Sequence, residues 1–74
     1  MEPSSQATIN VMINGEAREV PEGLTVKGLL AHLDLHERLV VVERNREIIR
    51  REDYASVDVA EGDVIELVHF VGGG

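Results

Sequence analysis

Val64-Ile65-Glu66-Leu67-Val68-His69-Phe70, followed by Val71-Gly72-Gly73-Gly74, closes the sequence and decides how the rest of it is read. The run is rich in β-formers, and its alternation sets Ile65 and Leu67 on one face and Val64, Glu66, Val68 and Phe70 on the other; a slip of one residue would exchange the faces. Gly72, Gly73 and Gly74 have no side chains to pack and lose more conformational freedom than any other residue when ordered. They are expected to be mobile. The glycine run is therefore either a frayed end or a working part that the rest of the chain presents.

Working outward, Glu61-Gly62-Asp63 is a turn signal that launches this last strand. At the other end of the chain Ile9-Asn10-Val11-Met12-Ile13 alternates, with Ile9, Val11 and Ile13 on one face, as in a half-buried strand. Asn14-Gly15 follows at once, and both residues tolerate the positive φ of a type I′ hairpin turn. The returning strand, Glu16 to Val20, carries Glu16, Arg18 and Glu19 and belongs at a sheet edge, where charge discourages further pairing. Pro21-Glu22-Gly23 breaks it, and Thr25 is positioned to cap a helix.

Val26, Leu29, Leu30 and Leu33 fit the i, i+3, i+4, i+7 template of an amphipathic helix that ends near Asp34. Gly28 inside it costs about 1 kcal/mol relative to Ala, which points to close packing against the sheet or to a tolerated defect. Leu39 to Val42 is short and β-branched, hence a strand; Asn45-Arg46 turns the chain, and Glu47 to Ile49 makes a brief further strand. Arg50 to Val57 reads as an irregular connection with one helical turn near Glu52 to Ala55. With one helix and the most apolar strands first and last, the economical solution places those two strands adjacent at the centre of the sheet. The expected class is α+β: a β-grasp (ubiquitin-like) fold, with a mixed sheet of four to five strands packed on one helix. Residues 1–8 read as a disordered lead-in, 9–70 as the β-grasp domain and 71–74 as a flexible glycine tail.

Seventy-four residues make one small domain with little room for an enclosed catalytic cleft. A net charge of −7, from 7 Lys and Arg against 14 Asp and Glu, argues against nucleic acid, whose phosphates need a basic face. It suits solubility or a basic protein partner. No segment approaches the roughly 20 apolar residues of a membrane span, and no signal pattern opens the chain. A cytoplasmic monomer, bound to neither membrane nor nucleic acid, is expected. The sequence has no cysteine, so thiol nucleophiles, disulfides and zinc-thiolate sites are excluded.

Few side chains are candidates for chemistry. His32 and His36 have the spacing of a helical metal pair, but the helix ends between them and no third ligand follows, so no metal is expected. His69 is one histidine on a strand, and Glu52-Asp53 is a solvated loop without the cleft that a carboxylate pair would need. The tail is no phosphate loop, since neither helix nor lysine follows it. Val68 and Phe70, with Met12 on the neighbouring strand, would form an exposed apolar patch suited to docking a partner. Four tail residues reach roughly 13 Å at full extension, and glycine suits a narrow channel because it has no Cβ to clash with the walls. Ordering them costs on the order of 4 to 8 kcal/mol, which contacts at the patch would offset.

On these residues the sequence resembles the sulfur carrier proteins of thiamin biosynthesis, within the ubiquitin-like carriers. The resemblance runs from about Ile9 to Gly74. It rests on Ile13-Asn14-Gly15-Glu16, on Gly23-Leu24-Thr25-Val26 with Leu29-Leu30, on Glu47-Ile48-Ile49 with Arg51 and Tyr54, on Glu61-Gly62-Asp63, and on the ending from Val68 to Gly74. Arg46 departs from it where a turn glycine is usual, and Arg50 where proline is common. What the resemblance implies is a protein cosubstrate with no catalytic residues and no bound cofactor. An adenylating enzyme similar to ubiquitin-activating enzymes would use ATP and Mg²⁺ to form an acyl-adenylate at the Gly74 carboxylate. A sulfur donor system would convert it to a thiocarboxylate, and thiazole synthase would accept the sulfur. The small subunit of molybdopterin synthase, a ubiquitin-like protein modifier and a non-catalytic β-grasp interaction module are the alternative readings.

Overall fold

The computed structural model describes residues 7–69. Strands β1 (Thr8–Ile13) and β2 (Glu16–Pro21) form the first hairpin, α1 (Val26–His32) follows, and β3 (Val40–Arg44) with β4 (Glu47–Ile49) forms the second hairpin before the last strand, β5 (Val64–His69). The five strands lie in the order β2-β1-β5-β3-β4. β5 runs parallel to β1 and antiparallel to β3, so the first and last strands are adjacent and β5 is central, as the apolar content of the two implied. β2 is an edge, as its charges required.

The lead-in is shorter than expected, because Thr8 already belongs to β1, opposite Pro21, and Ala7 accepts a hydrogen bond from Glu22 N–H at 3.0 Å. Residues 1–6 lie outside the described residues, as do Phe70 and the tail.

One face of the sheet and one stripe of α1 make the core. Ile9, Val11 and Ile13 of β1, Val26, Leu29 and Leu30 of α1, Val40 and Val42 of β3 and Ile65 of β5 are all buried. Each buried Leu, Ile or Val contributes about 1.5 to 3 kcal/mol relative to leaving it exposed. Thr25 caps α1, its hydroxyl accepting from Gly28 N–H at 3.1 Å. The helix closes with paired bonds, Asp34 N–H to the Ala31 carbonyl and Leu35 N–H to the Leu30 carbonyl, while Asp34 takes φ 63°, the left-handed closing conformation usually given to glycine. Gly28 does not pack against the sheet: a Cβ there would meet the Leu24 side chain at 3.2 Å and the capping hydroxyl of Thr25 at 3.5 Å. Its smallness serves the cap and the turn before it.

Leu39 belongs to a 3-10 turn, Glu37–Leu39, so β3 starts one residue later than its apolar run and extends to Arg44. The helical turn expected near Glu52 to Ala55 is a 3-10 turn at Arg51–Asp53. Tyr54, beside it, is buried and donates its hydroxyl to the Val40 carbonyl at 2.8 Å. Arg51 donates to the Glu37 and Arg38 carbonyls, so the connection is tied back to the entry of β3. No helix among the described residues is long and apolar enough to cross a membrane.

Candidate functional site

β5 is held from both sides by asparagines at hairpin turns. Asn14 and Asn45 both sit at φ 51°. Asn14 donates its N–H to the Ile65 carbonyl at 2.9 Å, and its Oδ1 accepts from Leu67 N–H at 2.7 Å. Asn45 donates to the Val64 carbonyl at 2.7 Å and accepts from Val64 N–H at 2.9 Å. The side-chain amides thus extend the ladder past the points where β1 and β3 end, and they fix the register of the strand that leads into residues 70–74.

A buried charge anchors the start of the same strand. Asp63 is only 6% exposed and accepts from Arg44 Nε and Ala60 N–H at 2.8 Å each and from Asn45 Nδ2 at 3.1 Å. Burial by itself would raise its pKa, but the hydrogen bonds from Ala60, Arg44 and Asn45, with the charge of Arg44, outweigh that and hold the carboxyl below its ordinary 3.8. Sequence reasoning took Asp63 for a turn residue and missed this cluster.

The register settles which residues of β5 face outward. Ile65 is buried and Leu67 half-buried, while Val64, Glu66 and Val68 are exposed, in agreement with the alternation. The expected grouping of Met12 with Val68 is incorrect. Met12 lies opposite Val64, four residues and about 13 Å along the strand from Val68, because the parallel pairing meets β5 at its beginning. The side chain beside Val68, itself 58% exposed, is Val41 of β3. The next row on this open face pairs Glu43 with Glu66 and continues to Ile48, which is 69% exposed. Val41 thus joins Val68 in the apolar surface near the end of β5, while Ile48 is separated from β5 by Glu43. The short runs of Val41 and Ile48 carried no alternation long enough to assign a face.

Of the remaining candidates, His36 uses Nδ1 to accept from Arg38 N–H at 3.2 Å and caps the 3-10 turn. Glu52 pairs with Arg50 at 2.8 Å in solvent. His32 and His69 line one cleft with Arg18 and Asp34. Phe70, Gly72, Gly73 and Gly74 lie outside the described residues.

A five-stranded mixed sheet closed over one helix, with the first and last strands parallel at its centre, defines a β-grasp domain of the ubiquitin-like class. Residues 11–74 match the model of the ThiS family. The chain is 54% identical over 50 residues to the sulfur carrier protein ThiS of Bacillus subtilis, covering 68% of this chain and 76% of that one. It is 46% identical over 66 residues to a thiazole synthase of Paramagnetospirillum magneticum, covering 89% of this chain but only 20% of that protein, so it spans about a fifth of that relative's length. The crystal structure of the thiamine biosynthesis protein ThiS from Geobacter metallireducens superposes with a TM-score of 0.76 at 36% identity, covering 89% of this chain and all of that one. The chain belongs to the ThiS family, the small sulfur carriers of thiamin biosynthesis, which are carriers and not enzymes.

Proposed function

We propose that the carboxylate of Gly74 is the group that carries the sulfur. A carboxylate is a poor electrophile, so an adenylating enzyme similar to ubiquitin-activating enzymes, using ATP and Mg²⁺, joins it to AMP with release of pyrophosphate. A persulfide of the sulfur donor system attacks the acyl carbon and displaces AMP. Reduction of the resulting S–S bond by a thiol leaves the thiocarboxylate. Thiazole synthase takes this sulfur in the cytoplasm, and the carboxylate returns. The thiazole synthase relative, a fifth of which aligns with nearly all of this chain, supports that acceptor.

The observation that carries the reading is the double anchorage of β5, whose register is fixed by Asn14 and Asn45 immediately before residues 70–74. A tail that must enter another protein's active site needs a firm root, and the asparagine clamps supply it. Val68 and Val41 form the docking surface beside the end of β5. Gly72 and Gly73 supply reach. The family leaves the molybdopterin, modifier and inert-module readings without a supporting observation.

The test is the intact mass of the protein after incubation with the adenylating enzyme, ATP and a sulfur donor. One oxygen exchanged for one sulfur at the C-terminus is expected, and an unchanged mass refutes the proposal. Deleting Gly73 and Gly74 is expected to abolish the exchange while the thermal midpoint stays within about 1 °C, since glycine has no side chain to bury; a large loss of stability would assign the tail a structural role instead.

A further inference from the structure

Successive residues of β5 direct their backbone groups to opposite neighbours. Val64 bonds on the β3 side, through Asn45, whereas Ile65 and Leu67 bond on the β1 side, through Asn14. The same alternation turns the Leu67 carbonyl and the His69 N–H toward β1. β1 has already ended at Ile13, and the chain has turned away through Asn14-Gly15. Among the described residues no hydrogen bond meets these two groups on that side.

The gap is a notch inside the sheet rather than an ordinary edge, and it differs from the two true edges. β2 carries Glu16, Arg18 and Glu19 and ends in Pro21, and β4 is three residues long; charge, proline and shortness all discourage strand addition. The notch is as short as β4 and has Arg18 and Asp34 at its rim, but its strand segment Leu67–His69 carries no proline, aspartate, glutamate, lysine or arginine, and it opens on a cleft of about 450 Å³. Leu33, Leu35 and Leu67 contribute apolar lining, with Arg18, His69 and Asp34 among its polar members. No carboxylate pairs with Arg18 among the described residues, Asp34 included.

We propose that this notch receives an extended segment of a partner protein, which adds a short strand beside Leu67–His69. A backbone acceptor and donor at strand spacing, unpaired among the described residues, fit another strand, and the adjacent apolar floor accepts an alternate side chain of that strand. This is the division between main-chain affinity and side-chain specificity in strand addition. The guanidinium of Arg18, which pairs with no carboxylate among the described residues, selects a segment that carries a carboxylate. The site lies on the opposite face of the sheet from Val68 and Val41, and it requires nothing of the chemistry at Gly74.

The probe is the blocked peptide Ac-Val-Glu-Val-Thr-Val-NH2, titrated to millimolar concentration into the ¹⁵N-labelled full chain. Saturable shifts at the Leu67, His69 and Asn14 amides are expected, with exchange of the His69 amide slowed at least about tenfold at saturation. Arg18→Glu is expected to weaken the peptide about fivefold, and a peptide with lysine in place of glutamate to prefer that variant. Arg18 is exposed on an edge strand, so the variant folds. Shifts confined to β2 or β4, no shifts at all, or an affinity indifferent to Arg18→Glu would each overturn the proposal. Sulfur loading, read separately by intact mass, leaves the carrier function unaffected by any of these results.

Discussion

At Asn14-Gly15 and at Asn45-Arg46 the chain reverses through nearly the same left-handed geometry, with φ 51° and 80° in the first turn and 51° and 73° in the second. Both asparagines also donate a backbone N–H to a β5 carbonyl and accept a β5 N–H at Oδ1, Asn14 with two residues, Ile65 and Leu67, and Asn45 with Val64 alone. The second position differs: glycine adopts a positive φ without penalty, whereas an L-residue such as arginine pays about 1 to 2 kcal/mol there. The second turn offsets this strain by a link that the first lacks, from Asn45 Nδ2 to the buried Asp63 and through it to Arg44. A turn can therefore be specified by what it grips as well as by the residues that bend most easily.

Removing the grip should have the largest effect. Asp63→Ala is expected to cost about 2 to 3 kcal/mol, below the roughly 3 to 5 kcal/mol of a fully buried pair because Arg44 keeps part of its surface in water, with the denaturation midpoint as the measure. The acid dependence has a definite sign. A carboxyl whose folded pKa is depressed contributes stability that is fully present above its unfolded value of 3.8 and is lost as pH falls through the lower folded value. The wild type should therefore lose stability below about pH 4 more steeply than the Asp63→Ala variant, and parallel curves would remove Asp63 from the account.

Next in size, Asn45→Ala should cost about 2 kcal/mol and Asn14→Ala about 1 kcal/mol, because the former loses two side-chain hydrogen bonds and the latter one. Equal losses would show that the Asp63 link adds nothing to the turn. The smallest pair of changes runs in opposite directions. Arg46→Gly should stabilise by about 1 kcal/mol, and Gly15→Ala should destabilise by a similar amount, since nothing lies within 4 Å of a Cβ at Gly15 and the cost is conformational alone.

Most of the fold was legible because local periodicity and turn chemistry agree: alternation at Ile9, Val11 and Ile13, the helical spacing of Val26, Leu29, Leu30 and Leu33, and asparagine at both hairpins. Position along a parallel pairing was not legible. Alternation assigns a face to Met12 and to Val68, but their separation depends on where β1 meets β5, which Asn14 and Asn45 set across long stretches of chain. Asp63 was hidden for a related reason, since its burial depends on Arg44, 19 residues earlier. Gly28 was left open between sheet packing and a tolerated defect, and its contact with Leu24 and Thr25 was not read because a helix pattern does not report how its capping loop folds back. Gly74, proposed as the carrier residue, was read from the resemblance and the glycine run, and with Phe70 it lies beyond the described residues.

In the strand order, β1 and β3 never touch; the two hairpins are joined in the sheet only through β5, which comes last in the chain. An isolated hairpin is marginal in water, and pairing strands so distant in sequence must overcome loop closure before it is rewarded. Sheet assembly is therefore completed by the same strand that leads into the glycine tail. A chain in which the hairpins have not come together has no fixed root from which a tail could project. The topology makes the fixed register of β5 a property of the assembled sheet alone, so neither hairpin by itself can supply it.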